Sequence, residues 1–433
     1  MNEKRPPLNF ASQTIWTGDN LDIMRGMNSD SVDLIYLDPP FNSKANYAAP
    51  VGSKAAGAAF KDAWGLDDVK LVWHGEIKHE YPSLYALLTV TRGIHGDSMM
   101  SYLIYMAIRV MEMRRLLKPD GSIYLHCDPT ASHYLKLLMD AVFGKENYRN
   151  EIVWAYTGPG SPRIRQFNRK HDVIHWYSNS KTTWTFNREE MRVPYKDPNQ
   201  RPRKAFDTGG AFKPENIEKM RQRGKVLEDW WPGIALAVRS SKERTGYPTQ
   251  KPLALLRRII QASSNEGGMV LDPFCGCATT CIAAEQLGRR WVGIDISEKA
   301  ADLVKLRRQE VAPMFQSAHR TDIPKRTDLG KIPRYNCAEN RLSLYGEQGG
   351  YCNGCAAHFE PRDLRVDRIV AKAKGGNDHI SNLQLLCASC KAAKGQKSRE
   401  ELIMLLTDKG WIKRRQEIIA NGNRRFKQAP PNR

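Results

Sequence analysis

Short apolar runs closed by turns alternate along this chain with longer segments whose apolar positions recur at helical spacing. Thr14–Thr17 and Val32–Leu37 read as strands, with a helix over 20–27 between them. Further along, the spacing predicts a helix over 101–117, stopped by Lys118-Pro119-Asp120-Gly121, and a buried strand over 122–126. Strand-like runs recur at 151–156 and 173–177. Beyond a basic, Pro/Gly-punctuated stretch at 185–230, the pattern predicts a helix over 252–263, a strand Met269–Asp272, a helix over 279–287 and a strand over 291–295. Residues 42–100 are rich in Gly, Ala and Ser and read as a long loop over the active site. Strands alternating with helices predict an α/β fold, a doubly wound and mostly parallel Rossmann-like sheet.

Composition adds partners and metal. At 433 residues the chain is too long for one typical core. The net charge of +20 is unevenly placed. Residues 160–245 hold 19 Lys+Arg against 10 Asp+Glu, and residues 331–433 hold 20 against 10. Charge spread for solubility alone would not cluster in this way, so two surfaces facing a polyanion are expected. The first is interleaved with Phe167, Trp176, Tyr177, Trp184, Phe186, Trp230 and Trp231, which either stack on bases or fill the core. No segment reaches the apolar length of a membrane span, and the N-terminus has no signal-peptide core. A soluble cytoplasmic protein is expected, without a membrane partner. Nine cysteines include two Cys-x-x-Cys pairs, Cys352/Cys355 and Cys387/Cys390, a spacing that suits tetrahedral Zn²⁺ better than disulfides.

Two turns carry the candidate chemistry. Asp38-Pro39-Pro40-Phe41 closes the strand Val32–Leu37, and Asp272-Pro273-Phe274-Cys275-Gly276-Cys277-Ala278-Thr279-Thr280 follows Met269–Leu271. The first resembles the catalytic motif of amino-methyltransferases and the second their cofactor loop. With the catalytic motif first, residues 10–310 resemble a β-class DNA amino-methyltransferase. The resemblance implies S-adenosyl-L-methionine as methyl donor and Asp38, Pro39, Pro40 and Phe41 as catalytic residues. It places Asp272, Phe274, Gly276, Ala278, Thr279, Thr280 and Asp295 at the cofactor, with Ala278 standing where the family usually has Gly. Gly246–Pro252 resembles the motif upstream of the cofactor strand and adds Thr249 and Lys251. Gly18-Asp19-Asn20 resembles the turn that meets the adenine ring and adds Asp19 and Asn20, although Asn20 equally suits a helix N-cap. Asp at the first catalytic position favours adenine N6, since cytosine-N4 enzymes of this kind usually carry Ser there; cytosine N4 is the alternative. His126 reads as a satisfied pocket histidine.

Between the two cysteine pairs, Leu364–Gly376 and the following Asn377-Asp378-His379-Ile380-Ser381-Asn382-Leu383-Gln384-Leu385-Leu386 resemble, within a span of about 60 residues, an HNH endonuclease, a ββα-metal or treble-clef module. The resemblance fails at cleavage, because Asp-His is replaced by Asp367-Arg368, and Lys391 follows the last cysteine where Asn or His is common. Arginine cannot act as a general base. The expected role is therefore a zinc-folded DNA-binding module using Arg365, Arg368, Lys372, Lys374, Lys391 and Lys394 on phosphates. A bifunctional methylase–nuclease and a DNA-binding protein with a dead methylase core are the rivals. The expected division is a catalytic half over 1–155, a target recognition region over 156–245 and a cofactor half over 246–310. A linker over 311–334, the zinc module over 335–407 and a loose basic tail over 408–433 complete it. Double-stranded DNA is the expected partner, with homodimerisation left open.

Overall fold

The computed structural model describes residues 8–41, 45–48, 59–62, 77, 81–158, 165–196, 214–237, 243, 245–247, 249–311, 318–329, 333–374, 376, 378–397 and 399–411. The chain forms two compact units, with the main division between Asp328 and Leu329.

In the first unit, β1 (Thr14–Thr17), α1 (Asn20–Gly26) and β2 (Val32–Leu37) match the sequence pattern closely. A short hairpin, β3 (Ala45–Ala48) with β4 (Ala59–Asp62), follows. Part of the expected loop is helical instead: α2 (Pro82–His95) runs up to α3 (Asp97–Leu116). Its buried Leu84, Leu88 and Thr91 recur at i, i+4 and i+7, a face that the small-residue composition nearby obscured. The remainder of 42–80 lies largely outside the described residues. β5 (Leu117–Cys127) takes in the expected 118–121 turn as a register shift opposite Val32/Leu34. There the Lys118 ammonium donates to both Asp33 carboxylate oxygens (2.8 and 2.7 Å), and Asp33 Oδ2 also accepts from the Met269 amide (2.7 Å). α4 (Ser132–Phe143), unforeseen in the pattern, buries Leu135, Leu138, Met139 and Val142.

Next come β6 (Tyr148–Ala155), β7 (His171–Ser178), the small pair β8 (Arg192–Val193) and β9 (Lys225–Val226) around α5 (Pro214–Arg223), and β10 (Trp230–Trp231). Beyond β10 come α6 (Leu253–Ser263), β11 (Met269–Asp272), α7 (Thr279–Gln286), β12 (Arg290–Asp295), α8 (Glu298–Val311) and β13 (Ala318–Arg320). Nine strands form one sheet in the order β10-β6-β7-β5-β2-β11-β12-β1-β13, parallel from β5 to β13, with β7 antiparallel to both β5 and β6. β2 and β11 are hydrogen-bonded neighbours, Leu34 opposite Val270 and Ile35 opposite Leu271. The two motifs, far apart in sequence, therefore emerge side by side at the carboxyl edge of the sheet. Leu34, Tyr36, Tyr124 and Val270 pack with Leu255, Leu256, Ile259 and Ile260 of α6 in one core.

Two expectations change. The 311–334 linker is in part structural: β13 pairs with β1, the Asn9 side chain donates to the Lys325 carbonyl (2.8 Å), and Asp328 accepts from the Ser29 amide (2.8 Å). Of the seven aromatics in the basic segment, Trp176, Tyr177 and Trp231 are core, whereas Phe167 is 99% exposed. Part of that segment, 197–213, and the tail beyond 411 lie outside the described residues.

The second unit contains α9 (Ala338–Gln348), β14 (Leu364–Arg368) antiparallel to β15 (Leu383–Cys387), then α10 (Ala388–Lys394) and α11 (Arg399–Asp408). Leu344, Leu364, Val366, Leu385, Leu386, Leu402 and Leu406 form its small core, with the cysteines among them. No helix among the described residues is long and apolar enough to cross a membrane.

Candidate active site

At the carboxyl ends of β1, β2, β11 and β12 lies a cavity of about 440 Å³. Asp38, Pro39, Pro40 and Phe41 line one side of it. Asp19, Asn20, Thr249, Lys251, Asp272, Phe274, Gly276, Thr279, Thr280 and Asp295 line the rest, so every sequence-predicted residue of this site except Ala278 meets in one place. Ala278 is fully buried under the loop, in the left-handed region at φ +53°. That conformation costs an alanine about 1 kcal/mol and accounts for glycine being the more common occupant.

The glycine loop after β11 is held from several sides. Gly276, at φ +49°, donates its amide to Asp295 Oδ2 (2.8 Å), and a Cβ there would stand 2.9 Å from the Tyr247 ring. Asn20 Nδ2 donates to the Pro273 carbonyl (2.7 Å). Arg307, buried and unforeseen, donates to the Cys277 carbonyl (2.7 Å) and to Thr279 Oγ1 (3.0 Å). Asp19, not Asn20, is the N-cap of α1, accepting from the Leu21 amide (2.9 Å). Both side chains are further locked by Arg109, which is 2% exposed: its Nη2 donates to Asp19 (2.8 Å) and its Nε to Asn20 Oδ1 (2.7 Å). A lone arginine in the apolar stretch 102–111 was the available signal for this residue.

The Asp-Pro-Pro-Phe turn shows an asymmetric carboxylate. Asp38 Oδ2 accepts from Lys251 Nζ (2.6 Å), whereas Oδ1 is buried with no hydrogen-bond partner among the described residues. Behind the turn, His126 is fully buried, with Nδ1 2.9 Å from the Tyr36 hydroxyl and Nε2 2.9 Å from Asp172 Oδ2. Tyr156 donates to the other Asp172 oxygen (3.0 Å), and the Phe41 ring lies parallel to the imidazole at 6.1 Å. Burial alone would raise the Asp172 carboxyl, but the hydrogen bond from His126 and the charges around it bring it below its ordinary value. With both ring nitrogens engaged, His126 is the satisfied pocket histidine that the sequence suggested.

Burial pushes the Asp272 carboxyl up to about 7, against hydrogen bonds from Thr280 and the Phe274 amide that lower it. An unfolded Asp titrates near 3.9, so between these values the folded chain retains a proton that the unfolded chain has lost. Stability of the ligand-free protein is therefore expected to fall as pH rises from about 4 through about 7. Asp272→Asn keeps an acceptor for the Phe274 amide and removes the titration. Thermal melts from pH 5 to 8 should show this variant losing that decline, on the order of 3 kcal/mol; a slope equal to the wild type's would assign the decline to other groups.

In the second unit the sulfurs of Cys352, Cys355, Cys387 and Cys390 lie within 4.8 Å of one another, Cys355 and Cys387 at 3.9 Å. Four thiolates at 2.3 Å from one tetrahedral Zn²⁺ stand about 3.8 Å apart, so the donor set and its spread fit zinc. Hydrogen bonds from Cys355 and Cys390 draw the Cys352 thiol well below its usual range, and donating to it pushes those two thiols up, as expected of sulfurs crowded at hydrogen-bonding distance. This is the only cluster of metal-binding side chains among the described residues. The cations expected on phosphates are partly committed elsewhere. Arg368 donates to Asp378 (2.6 Å), Lys391 donates to the Val366 carbonyl (2.9 Å), and Lys394, 1% exposed, pairs with Asp367 (3.0 Å). Arg365 and Lys372 are exposed; the Lys374 side chain lies outside the described residues.

A cavity at the carboxyl ends of parallel strands, walled by a tight glycine loop and an Asp-Pro-Pro-Phe turn, defines a methyltransferase of the Rossmann-like class. The DNA methylase family of N6/N4 type matches residues 32–306, and the chain belongs to that family, with S-adenosyl-L-methionine as cofactor and DNA as substrate. The HNH endonuclease family matches residues 352–397, so an HNH domain is fused behind the methylase. The chain is 27% identical to the DNA adenine methyltransferase YhdJ of Escherichia coli (strain K12), over 74% of this chain and 91% of that protein. It is 25% identical to the type II methyltransferase M.EcaI of Enterobacter cloacae, over 80% of each. Among solved structures, the cytosine-N4-specific PvuII DNA methyltransferase aligns with a TM-score of 0.41 and 13% identity, covering 68% of this chain and 86% of that one.

Proposed function

We propose that this protein is a site-specific DNA methyltransferase acting on adenine N6, with Asp38, Pro39, Pro40 and Phe41 as its catalytic residues and an HNH domain that binds DNA without cutting it. The observation that carries the reading is Asp38, a residue of the cavity wall whose Oδ1 is buried without a hydrogen-bond partner among the described residues. A buried orphan acceptor costs free energy unless a ligand completes it. An exocyclic amine does so: Asp38 Oδ1 and the Pro39 carbonyl accept its two hydrogens, which draws the nitrogen towards pyramidal geometry and frees its lone pair. The paired prolines stiffen that turn and add no competing amide donors. Phe41 offers a ring on which an extruded base stacks.

When bound, S-adenosyl-L-methionine supplies an electrophilic methyl group. The cavity fits it in size, since ligand pockets run to about 300–1,000 Å³, and in donor chemistry. Asp295 has spent one lone pair of each oxygen on the Gly276 and Ser297 amides, leaving the others for ribose hydroxyls. Asp19, Asn20, Thr249, Asp272, Phe274, Thr279 and Thr280 line the same wall, and Gly276 and Ala278 set the turn.

The adenine assignment rests on Asp at the first catalytic position and is supported by the resemblance to an adenine methyltransferase over most of the chain. Mass spectrometry of nucleosides from DNA methylated by the protein should return N6-methyladenine; a dominant N4-methylcytosine signal overturns the base assignment.

Residues 156–245 are assigned to target recognition, where Phe167 stands exposed beside Arg165 and Arg169 in the loop between β6 and β7. The HNH domain is read as a second DNA contact, because Arg368 takes the position of the general base and is paired with Asp378, while Asp367 beside it is paired with Lys394. DNA affinity should fall steeply with salt, and deleting 331–433 should flatten the slope of log affinity against log salt. An unchanged slope would mean that the second basic segment faces something other than nucleic acid.

A further inference from the structure

We propose that Lys251 is a positioning residue for methyl transfer rather than a cofactor ligand: it holds one oxygen of Asp38 so that the other is presented to the amine. This rests on the catalytic reading of Asp38 above. The Lys251 ammonium lies 2.6 Å from Asp38 Oδ2 and 3.5 Å from the Thr249 carbonyl, and its side chain is 9% exposed. It stands 5.2 Å from the centre of the Phe41 ring, the proposed stacking surface. The other Asp38 oxygen is the unpartnered one.

A free carboxylate can turn about its last bond and exchange its oxygens. A charge-assisted hydrogen bond to one oxygen fixes the plane and decides which oxygen the substrate meets. It also gives a mostly buried carboxylate a counter-ion, without which burial would be costly.

The mount of Lys251 is rigid on both sides. Gln250 Oε1 accepts from the Thr245 amide (2.9 Å) and hydroxyl (2.7 Å), and its Nε2 donates to the Glu243 carbonyl (2.7 Å). Glu243 in turn accepts from the Leu253 amide (3.1 Å). Pro252 follows directly and restricts the Lys251 backbone, and α6 then enters the core. A lysine that served only as a loose countercharge for a ligand would need none of this support; one that sets the angle of a catalytic group does.

The test uses the full-length protein and compares Lys251→Met, Lys251→Arg, Asp38→Ala and the double variant Asp38→Ala/Lys251→Met. Methylation kcat and KM are measured with S-adenosyl-L-methionine and a DNA carrying the target site, and cofactor Kd is measured by calorimetry. Lys251→Met should lower kcat about 10²-fold while cofactor Kd stays within about threefold. Lys251→Arg, which keeps the charge, should recover part of that loss. The double variant should be no slower than Asp38→Ala, because the two residues act as one unit. An unchanged kcat with a raised KM or Kd for the cofactor overturns the proposal, as does a double variant much slower than Asp38→Ala. If Lys251→Met does not fold, Lys251→Arg decides: reduced kcat at wild-type cofactor Kd supports positioning, and full kcat at weakened Kd overturns it. Wild-type kcat in Asp38→Ala would instead remove the catalytic reading itself, whatever Lys251 does.

Discussion

Asp38→Ala is expected to reduce methyl transfer by about 10³-fold and to leave S-adenosyl-L-methionine binding within a few-fold of wild type. The asymmetry follows from where the side chain points. Asp38 lines the cavity with its Oδ1 unpartnered and its Oδ2 on Lys251, while the glycine loop is held by other groups: Asp295 on Gly276, Asn20 on Pro273, and Arg307 on Cys277 and Thr279. Truncation removes an acceptor for the reacting amine and strands the Lys251 ammonium, but the loop keeps its supports. Single-turnover rates and cofactor calorimetry on the same preparation separate the two effects. A cofactor affinity that falls as far as the rate would move Asp38 from the amine to the cofactor.

Removing the metal from the second unit is expected to unfold it. Its core is a handful of leucines and one valine built around the cysteines themselves, too little apolar surface to hold a segment of this size alone. Metal ligation in small zinc domains contributes about 10 kcal/mol or more, so chelation should convert this unit from ordered to disordered while the methylase unit still melts cooperatively. Elemental analysis should give about one zinc per chain, and Cys352→Ser/Cys387→Ser should lose it together with the fold of this unit. The zinc-loaded protein should not nick plasmid DNA in Mg²⁺ or Mn²⁺, given Arg368 bound to Asp378 at the base position. His379, next to Asp378, is the neutral base that remains near Arg368, and metal-dependent nicking that disappears in His379→Ala would make the protein a two-activity enzyme.

The sequence alone determined the parts of this protein that are written in neighbouring residues. A strand ending in Asp-Pro-Pro-Phe, a strand ending in Asp-Pro-Phe-Cys-Gly, and two Cys-x-x-Cys pairs each declare their local geometry, because turns and metal ligands need particular residues at fixed offsets. β1, β2, β11 and β12 could be located for the same reason, since a buried parallel strand is a short apolar run bounded by turns. α2 and α4 could not, because their helical faces sit in stretches whose composition suggested a loop or no regular element.

What only the tertiary structure decided are pairings between residues distant in the chain. Lys251 meets Asp38 across 213 positions, Arg109 meets Asp19 and Asn20 from another helix, and Arg307 reaches back to the cofactor loop. The same charges that read in sequence as phosphate contacts turn out, at Arg368 and Lys394, to be partners of Asp378 and Asp367, and the same aromatics that read as stacking surfaces are core at Trp176, Tyr177 and Trp231. A charge or a ring carries the same letter whether it faces water or a partner; closing the sheet, and folding the small unit around its cysteines, sets which side of that boundary it occupies.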